Sequence, residues 1–312
     1  MRWFERAGHE VWVYDNLSRG HRQLARPDRL VVGDLSDQQR LSQTLTEHRI
    51  EVVVHFAAFA LVGESVADPS LYYRNNTLGS LSLLEAMRQA GVARIVVSST
   101  TAVFGNAEKI PISEDDPRQP CNPYGRSKLM VEQFLADYAQ AYGIAATALR
   151  YFNAAGATPD GDRGEWHDPE THLIPLVLSV ALGRRAQMTI FGDDYPTADG
   201  TCIRDYVHVD DLAAAHLAAL DRQQLGQFRA YNLGIGRGYS NLEVVEACRR
   251  VTGAAIPVTI GPRRAGDPPE LVANASRARQ ELQWQPAYTD LDAIVATAWA
   301  WHTKNPESLP KG

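Results

Sequence analysis

Short apolar runs, too short for helices, recur along the first half of the chain between stretches that carry helical spacing. Glu10–Asp15, Arg29–Gly33, Glu51–Ala58, Arg94–Ser98 and Ala145–Tyr151 are five such runs. Near-continuous apolar strands suit burial on both faces, as in a parallel sheet, and each strand-to-strand crossing then needs a helix. Helices are expected over residues 1–8, from Asp37 to His48, from Asp68-Pro69 to Gly91, and after Pro123. The cadence predicts an α/β fold, a doubly wound parallel sheet with right-handed crossovers. Ligands of such sheets sit at the carboxyl ends of the strands. From about Asn153 the rhythm gives way to loops rich in Gly, Asp and Pro, so residues 1–153 are read as one domain and 154–312 as a smaller one.

The densest chemistry falls at one strand end and the helix that follows. Cys121-Asn122-Pro123-Tyr124-Gly125-Arg126-Ser127-Lys128 places a phenol and an ammonium four residues apart at a helix start, with Pro123 suited to the entry. A cation beside a phenol favours its ionised form and brings its pKa down from about 10. That is what a general base working near neutral pH needs. The hydroxyl cluster Ser98-Ser99-Thr100-Thr101 ends the strand upstream. Asp15 closes an earlier run. An acid there accepts hydrogen bonds from an adenosine ribose and disfavours a 2′-phosphate, which favours NAD over NADP, while Arg19 and Arg22 nearby keep a phosphate-bearing cofactor in view. Asp34-Leu35 closes the next run, a plausible contact for the adenine edge. The small residues after His55 would let a cofactor lie against the backbone. His55 itself is read as a packed residue.

Composition excludes several classes. A net charge of −6 argues against a nucleic-acid partner. Three scattered cysteines suit neither a disulfide framework nor a thiolate zinc site, and fit a reducing cytoplasm. No apolar run is long enough to cross a bilayer, and Arg2, Glu5 and Arg6 interrupt any leader-like pattern. A soluble cytoplasmic protein is expected, with no membrane contact. In the second half, Arg204 in Gly200–Asp211 and the cluster Arg263-Arg264-Ala265-Gly266-Asp267 supply guanidinium groups of the kind that grip a diphosphate. Trp166–His172 is rich in His and acids. It is interrupted by proline and lacks regular helical spacing, so no metal ion is expected.

Taken together, these residues resemble the extended short-chain dehydrogenase/reductases, and among them the UDP-glucose 4-epimerases. The likeness runs through Tyr14-Asp15-Asn16-Leu17, His55–Ala58, Val62–Val66, Ser98–Thr100, Asn122–Lys128, Arg150–Gly156, Phe191–Thr197 and Gly200–Asp211. It implies a Rossmann-type NAD-binding domain followed by a UDP-sugar-binding domain, and interconversion of UDP-galactose and UDP-glucose through a transient 4-keto sugar. By this resemblance Tyr124, Lys128 and Thr100 are catalytic. Asp15, Asn16, Asp34, Leu35, Phe56, Ala57, Ala58, Asn75, Ser98 and Phe152, with Tyr124 and Lys128, hold NAD. Asn153, Leu173, Phe191, Arg204, Tyr206, Arg264 and Asp267, with Thr100 and Tyr124, hold the UDP-sugar. A homodimer is the expected assembly, and Leu271 stands where pocket volume would decide on N-acetylated sugars.

Three departures from the pattern stand out. Ala60 replaces a lysine that some members carry near the cofactor phosphates, and Thr171-His172-Leu173 stands where some have Asn-Asn-Leu. The family's first strand and its Gly-x-x-Gly-x-x-Gly turn lie outside this sequence, so an upstream extension of about 20 residues is expected on the geometry of a β–turn–α entry. Without that extension, NAD binding would be weak. Two other readings are kept in view: a 4,6-dehydratase, which would put an Asp-Glu pair where Thr101-Ala102 stand, and a sugar-nucleotide-binding protein without catalysis.

Overall fold

The computed structural model describes residues 1–264 and 266–309, so Ala265 of the basic cluster lies outside the described residues. After helix α1 (Arg2–Arg6), strands β1 (Val13–Asp15) and β2 (Leu30–Val32) pair in parallel. Helix α2 (Gln38–Glu47) follows, its N-terminus capped by Asp37, whose carboxylate accepts the Arg40 N–H at 3.0 Å. Strand β3 (Val53–His55) leads to α3 (Val62–Ala67) and α4 (Pro69–Tyr72). The helix then passes through one π turn, Tyr73–Leu78, into α5 (Gly79–Ala90), and stops at Gly91, where φ is 73°. Strand β4 (Arg94–Thr100), helix α6 (Pro123–Tyr142) and strand β5 (Ala145–Tyr151) complete the alternation expected from the cadence.

The central sheet runs in the order β10-β5-β4-β3, every pair parallel, where β10 is Phe228–Leu233. Two features of this sheet bear on the reading of the sequence, the first in keeping with a first strand outside this sequence and the second a departure from it. The sheet is in two pieces, since β1 and β2 bond only to each other and no described strand pairs the second edge of β1 or of β3. And the last strand comes from residues 228–233, well inside the region read as the second domain. Its partner β5 lies some eighty residues earlier, and local periodicity carries no record of so distant a pairing.

The apolar side chains account for the layers. Leu41, Leu45, Leu83, Leu84, Met87, Val131 and Leu135 from α2, α5 and α6 cover one face of the sheet with Ile95 and Val97. Helix α8 (Val209–Arg222), with Leu212, Ala215 and Ala219, covers the other beside Trp284. In the second half, β6 (Asn153–Ala155) pairs with β9 (Tyr206–His208), and β7 (Met188–Phe191) with β12 (Val258–Gly261). Strand β8 (Ile203–Arg204) lies between β11 (Tyr239–Ser240) and β13 (Glu270–Leu271). Helices α7 (Leu173–Ala181), α9 (Asn241–Thr252) and α11 (Leu291–Lys304) enclose a core built on Val177, Leu178, Val244, Val245, Ile294 and Val295. A short helix, α10 (Ser276–Glu281), adds Ala278 to the Trp284 cluster.

Candidate active site

The N-terminus of α6 is built by its own sequence. The Asn122 side chain accepts the Gly125 N–H at 2.9 Å, and Pro123 occupies the first turn, so Tyr124 and Lys128 follow one turn apart. Gly125 is required there because a Cβ would sit 2.5 Å from the Ala102 carbonyl oxygen. That close approach brings the helix start against the end of β4, where the Thr100 hydroxyl accepts the Ala102 N–H at 3.1 Å and lies close enough to the Tyr124 phenol to favour its ionised form. Lys128 is buried and donates to the Ser98 carbonyl at 2.8 Å. Burial pushes its pKa from 10.5 down to about 8, with Glu132 opposing.

The electrostatics differ in one respect from the expectation. Burial holds the Tyr124 phenol above its ordinary pKa of 10.0, and the neighbouring Thr100 hydroxyl only partly offsets this. Lys128 spends one N–H on a backbone oxygen, so the protein by itself does not turn Tyr124 into a phenolate. A charge arriving with a ligand has to supply the remainder.

Behind these groups lies a polar frame that the sequence reading missed. Glu132, one turn beyond Lys128, is wholly buried; it accepts from Ser99 Oγ at 2.6 Å and from Arg150 at 3.0 and 2.7 Å. It ties α6 to both β4 and β5. On the other flank, the buried Asn76 amide brackets the Phe59 backbone at 2.8 and 3.0 Å and donates to Ser127 Oγ at 3.1 Å, locking the loop after β3 to α6. The only hint in the sequence was polarity within an apolar helical pattern, and it drew notice to the neighbouring Asn75, which donates to Asn76 at 2.9 Å. His55 is packed as expected, against Ser80 Oγ at 2.8 Å, and burial pushes its pKa down to about 3.

The residues expected to hold a dinucleotide gather at the carboxyl ends of the strands. Asn16 donates to Asp34 at 2.6 Å across β1 and β2. Asp15 accepts the Leu17 N–H at 2.6 Å and closes on Gly20, where a Cβ would meet its Oδ2 at 2.8 Å. Leu35 packs against Gly79 at the top of α5. After β3, Phe56 is 58% exposed and Ala57 is also open, an apolar platform left uncovered where the strands end. Ala58 is half-buried, and Ser98 meets Lys128 as above. A buried ammonium has three donors and uses one here, so two remain for hydroxyl acceptors. These features fit a nicotinamide dinucleotide. Phe152 is placed differently: it is packed among Val103, Phe104, Ile112 and Ala273, in the wall of the site.

The expected sugar-nucleotide residues come from separate segments. Asn153 donates its backbone N–H to Asp205 O at 2.9 Å, which brings β6 beside Arg204. Arg204 lies 3.8 Å from Asp267, while Arg264 stacks 4.2 Å over Phe191. Leu173 opens α7, and Tyr206 is buried in the core of the second half. The residue that organises this group is Asp205. Fully buried, it accepts the N–H groups of Ile235, Gly236 and Ala273 at 2.8, 3.0 and 3.2 Å, clasping two segments beside Arg204.

A scan of family models matches residues 1–234 to the NAD dependent epimerase/dehydratase family. The chain belongs to that family. Among its members, the UDP-glucose 4-epimerase of Lacticaseibacillus casei is 52% identical over 305 residues, covering 97% of this chain and 92% of that one. The UDP-glucose 4-epimerase of Halalkalibacterium halodurans is 50% identical over 96% of this chain and 90% of its own length. Solved structures of the family agree. The Brucella ovis UDP-glucose 4-epimerase in complex with NAD superposes with a TM-score of 0.91 at 48% identity, over 95% of this chain and 91% of that chain. The Bifidobacterium longum UDP-glucose 4-epimerase in complex with NAD+ and UDP gives 0.92 at 38% identity, over 98% and 94%.

Proposed function

We infer that the protein is a UDP-glucose 4-epimerase, interconverting UDP-galactose and UDP-glucose with NAD as its resident cofactor. The observation that carries this reading is the buried ammonium of Lys128, one turn beyond Tyr124 at the head of α6 and held against the end of β4 by the Ser98 carbonyl. When bound, NAD supplies a reversible hydride acceptor for sugar C4. Tyr124 would take the 4-hydroxyl proton as the C4 hydride leaves. It would give the proton back to O4 when, after the 4-keto sugar has turned, the hydride returns to the opposite face of C4. Thr100 holds the phenol and the sugar oxygen in one hydrogen-bonded line. Lys128 offers its two remaining N–H groups to ribose hydroxyls and its charge to the phenolate. Asp15, Asn16 and Asp34 receive the adenosine end, with Leu35, Phe56, Ala57, Ala58, Asn75 and Ser98 lining the rest and Phe152 backing it.

Arg204 and Arg264 neutralise the diphosphate; Asn153, Leu173, Phe191, Tyr206 and Asp267 enclose the UDP. In this division of labour residues 1–153 carry the cofactor and 154–312 the sugar nucleotide, with β10 returned to the first unit. No carboxylate follows Thr100, where an elimination of water would need one. We place the protein in the cytoplasm as a homodimer. Its three cysteines are free, and no described helix is long and apolar enough to cross a membrane. Val66 and Leu78, 64% and 58% exposed, lie beside α6 and offer apolar cover for a second copy.

The test is a coupled assay in which UDP-glucose formed from UDP-galactose is oxidised by a dehydrogenase. Sustained turnover is expected with NAD supplied and no reductant added. Protein that binds both NAD and UDP yet leaves UDP-galactose unchanged would sink the proposal.

A further inference from the structure

The loop between β6 and α7 carries a group of side chains that the epimerase reaction does not use. Glu165, His167, Glu170 and His172 come from a proline-interrupted stretch with no regular spacing, yet their ligating atoms all lie within 4.8 Å of one another. His167 Nδ1 is 3.1 Å from Glu165 Oε1 and 3.7 Å from Glu170 Oε1. His172 Nδ1 meets the same Glu165 oxygen. Four donors on a tetrahedral ion at about 2.0–2.2 Å stand roughly 3.3–3.6 Å apart; the two His167 spacings are close to that, and the direct His172–Glu165 contact has to open for the ion to enter.

A second observation points to a ligand. The Glu170 side chain is 0% exposed, its Oε1 accepts the N–H groups of Thr171 and His172 at 2.7 and 2.8 Å, and its Oε2 is buried without any partner. A buried carboxylate oxygen left unsatisfied is costly, and a metal ion is one of the few partners that removes the penalty. The surrounding loop is held by other groups. Trp301 Nε1 donates to Glu165 O at 2.9 Å, His21 stacks on Trp166 at 4.4 Å, and Arg19 reaches the Asp168 carbonyl at 3.3 Å. The loop backbone that carries the four donors is therefore held before any ion arrives.

We propose that Glu165, His167, Glu170 and His172 bind one zinc-type dication. Two imidazole nitrogens with two carboxylates suit Zn²⁺ and its first-row neighbours, whereas Ca²⁺ and Mg²⁺ take oxygen donors in larger number. The ion pins the loop between the segment after β1 and the start of α7. His172 directly precedes Leu173, so the ion also fixes the first residue of the helix assigned to the UDP-sugar.

The experiment uses the full chain, stripped with a chelator and reloaded with Zn²⁺, then desalted and measured for metal content. Competition against a chromophoric chelator gives the affinity. Co²⁺ in place of Zn²⁺ should give the visible absorption of a four-coordinate site. One equivalent of Zn²⁺ and a raised Tm are expected for the wild type. His167→Ala and Glu170→Gln should each lose more affinity than the roughly 10–100-fold that removal of an outer-shell partner brings. His48→Ala, a histidine stacked on Trp12 away from the loop, should bind as the wild type does. If a variant fails to fold, the wild-type stoichiometry and Co²⁺ spectrum still decide. Substoichiometric metal in folded wild type, an octahedral Co²⁺ spectrum, or unchanged affinity in both folded variants overturns the proposal.

Discussion

Arg150 and Glu132 face each other wholly inside the protein, the guanidinium reaching both carboxylate oxygens at 3.0 and 2.7 Å. The pair ties β5 to α6, the helix that carries Tyr124 and Lys128. Removing one partner leaves a buried charge uncompensated, which costs about 3–5 kcal/mol. Glu132→Gln should lose stability of that order in denaturant unfolding. Glu132→Leu combined with Arg150→Met should recover most of it, because the pair is coupled. A loss below about 1 kcal/mol in the single variant would show that water or a rearrangement satisfies Arg150.

Tyr124→Phe removes one oxygen and leaves the ring packing in place. We expect kcat to fall by about 10²–10⁴-fold, the usual loss for a general acid–base group, with UDP affinity little changed. Lys128→Met should also slow turnover. The two losses should not add in the double variant, since both act through one phenol. Near-normal kcat in Tyr124→Phe would transfer the proton chemistry to Thr100.

Lys128 sets a pH dependence whose sign follows from burial. Its folded pKa is pushed down to about 8, so the ammonium is present below that pH and lost as pH rises through it. NAD affinity of the ligand-free protein should therefore weaken from about pH 8 upward, as a donor to the ribose disappears. Calorimetric titrations across that range should show the fall in the wild type and a flat response in Lys128→Met. A wild-type affinity independent of pH would remove this role.

Gly125→Ala tests the close approach of α6 to the end of β4. The new Cβ would lie 2.5 Å from Ala102 O and 2.9 Å from Pro120 Cβ, so the helix start has to move. Misplacing a catalytic group by 1 Å costs about 10²-fold in rate. The expected outcome is a fall in kcat towards that size with UDP binding preserved, measured by turnover beside a UDP titration. Unchanged kcat would mean that the helix absorbs the methyl without moving Tyr124.

Much of this was legible along the chain. Strand and helix order in the first half followed from apolar run length and spacing, and the Tyr124–Lys128 relation from four-residue periodicity with Asn122 and Pro123 at the entry. Asp37 as a cap and Gly91 as a stop were local signals of the same kind. All of these depend on interactions within a few residues, which a sequence records directly.

Tertiary structure alone decided the rest. β10 joins β5 across some eighty residues; Glu132, Arg150 and Ser99 meet from a helix and two strands; Asp205 clasps Ile235, Gly236 and Ala273; and the acids and histidines of an irregular loop converge on one point. Burial also reversed the expected direction for the Tyr124 phenol. Spacing reports which side chains share a helix face or a strand face, whereas desolvation and long-range pairing depend on what the rest of the chain packs against them.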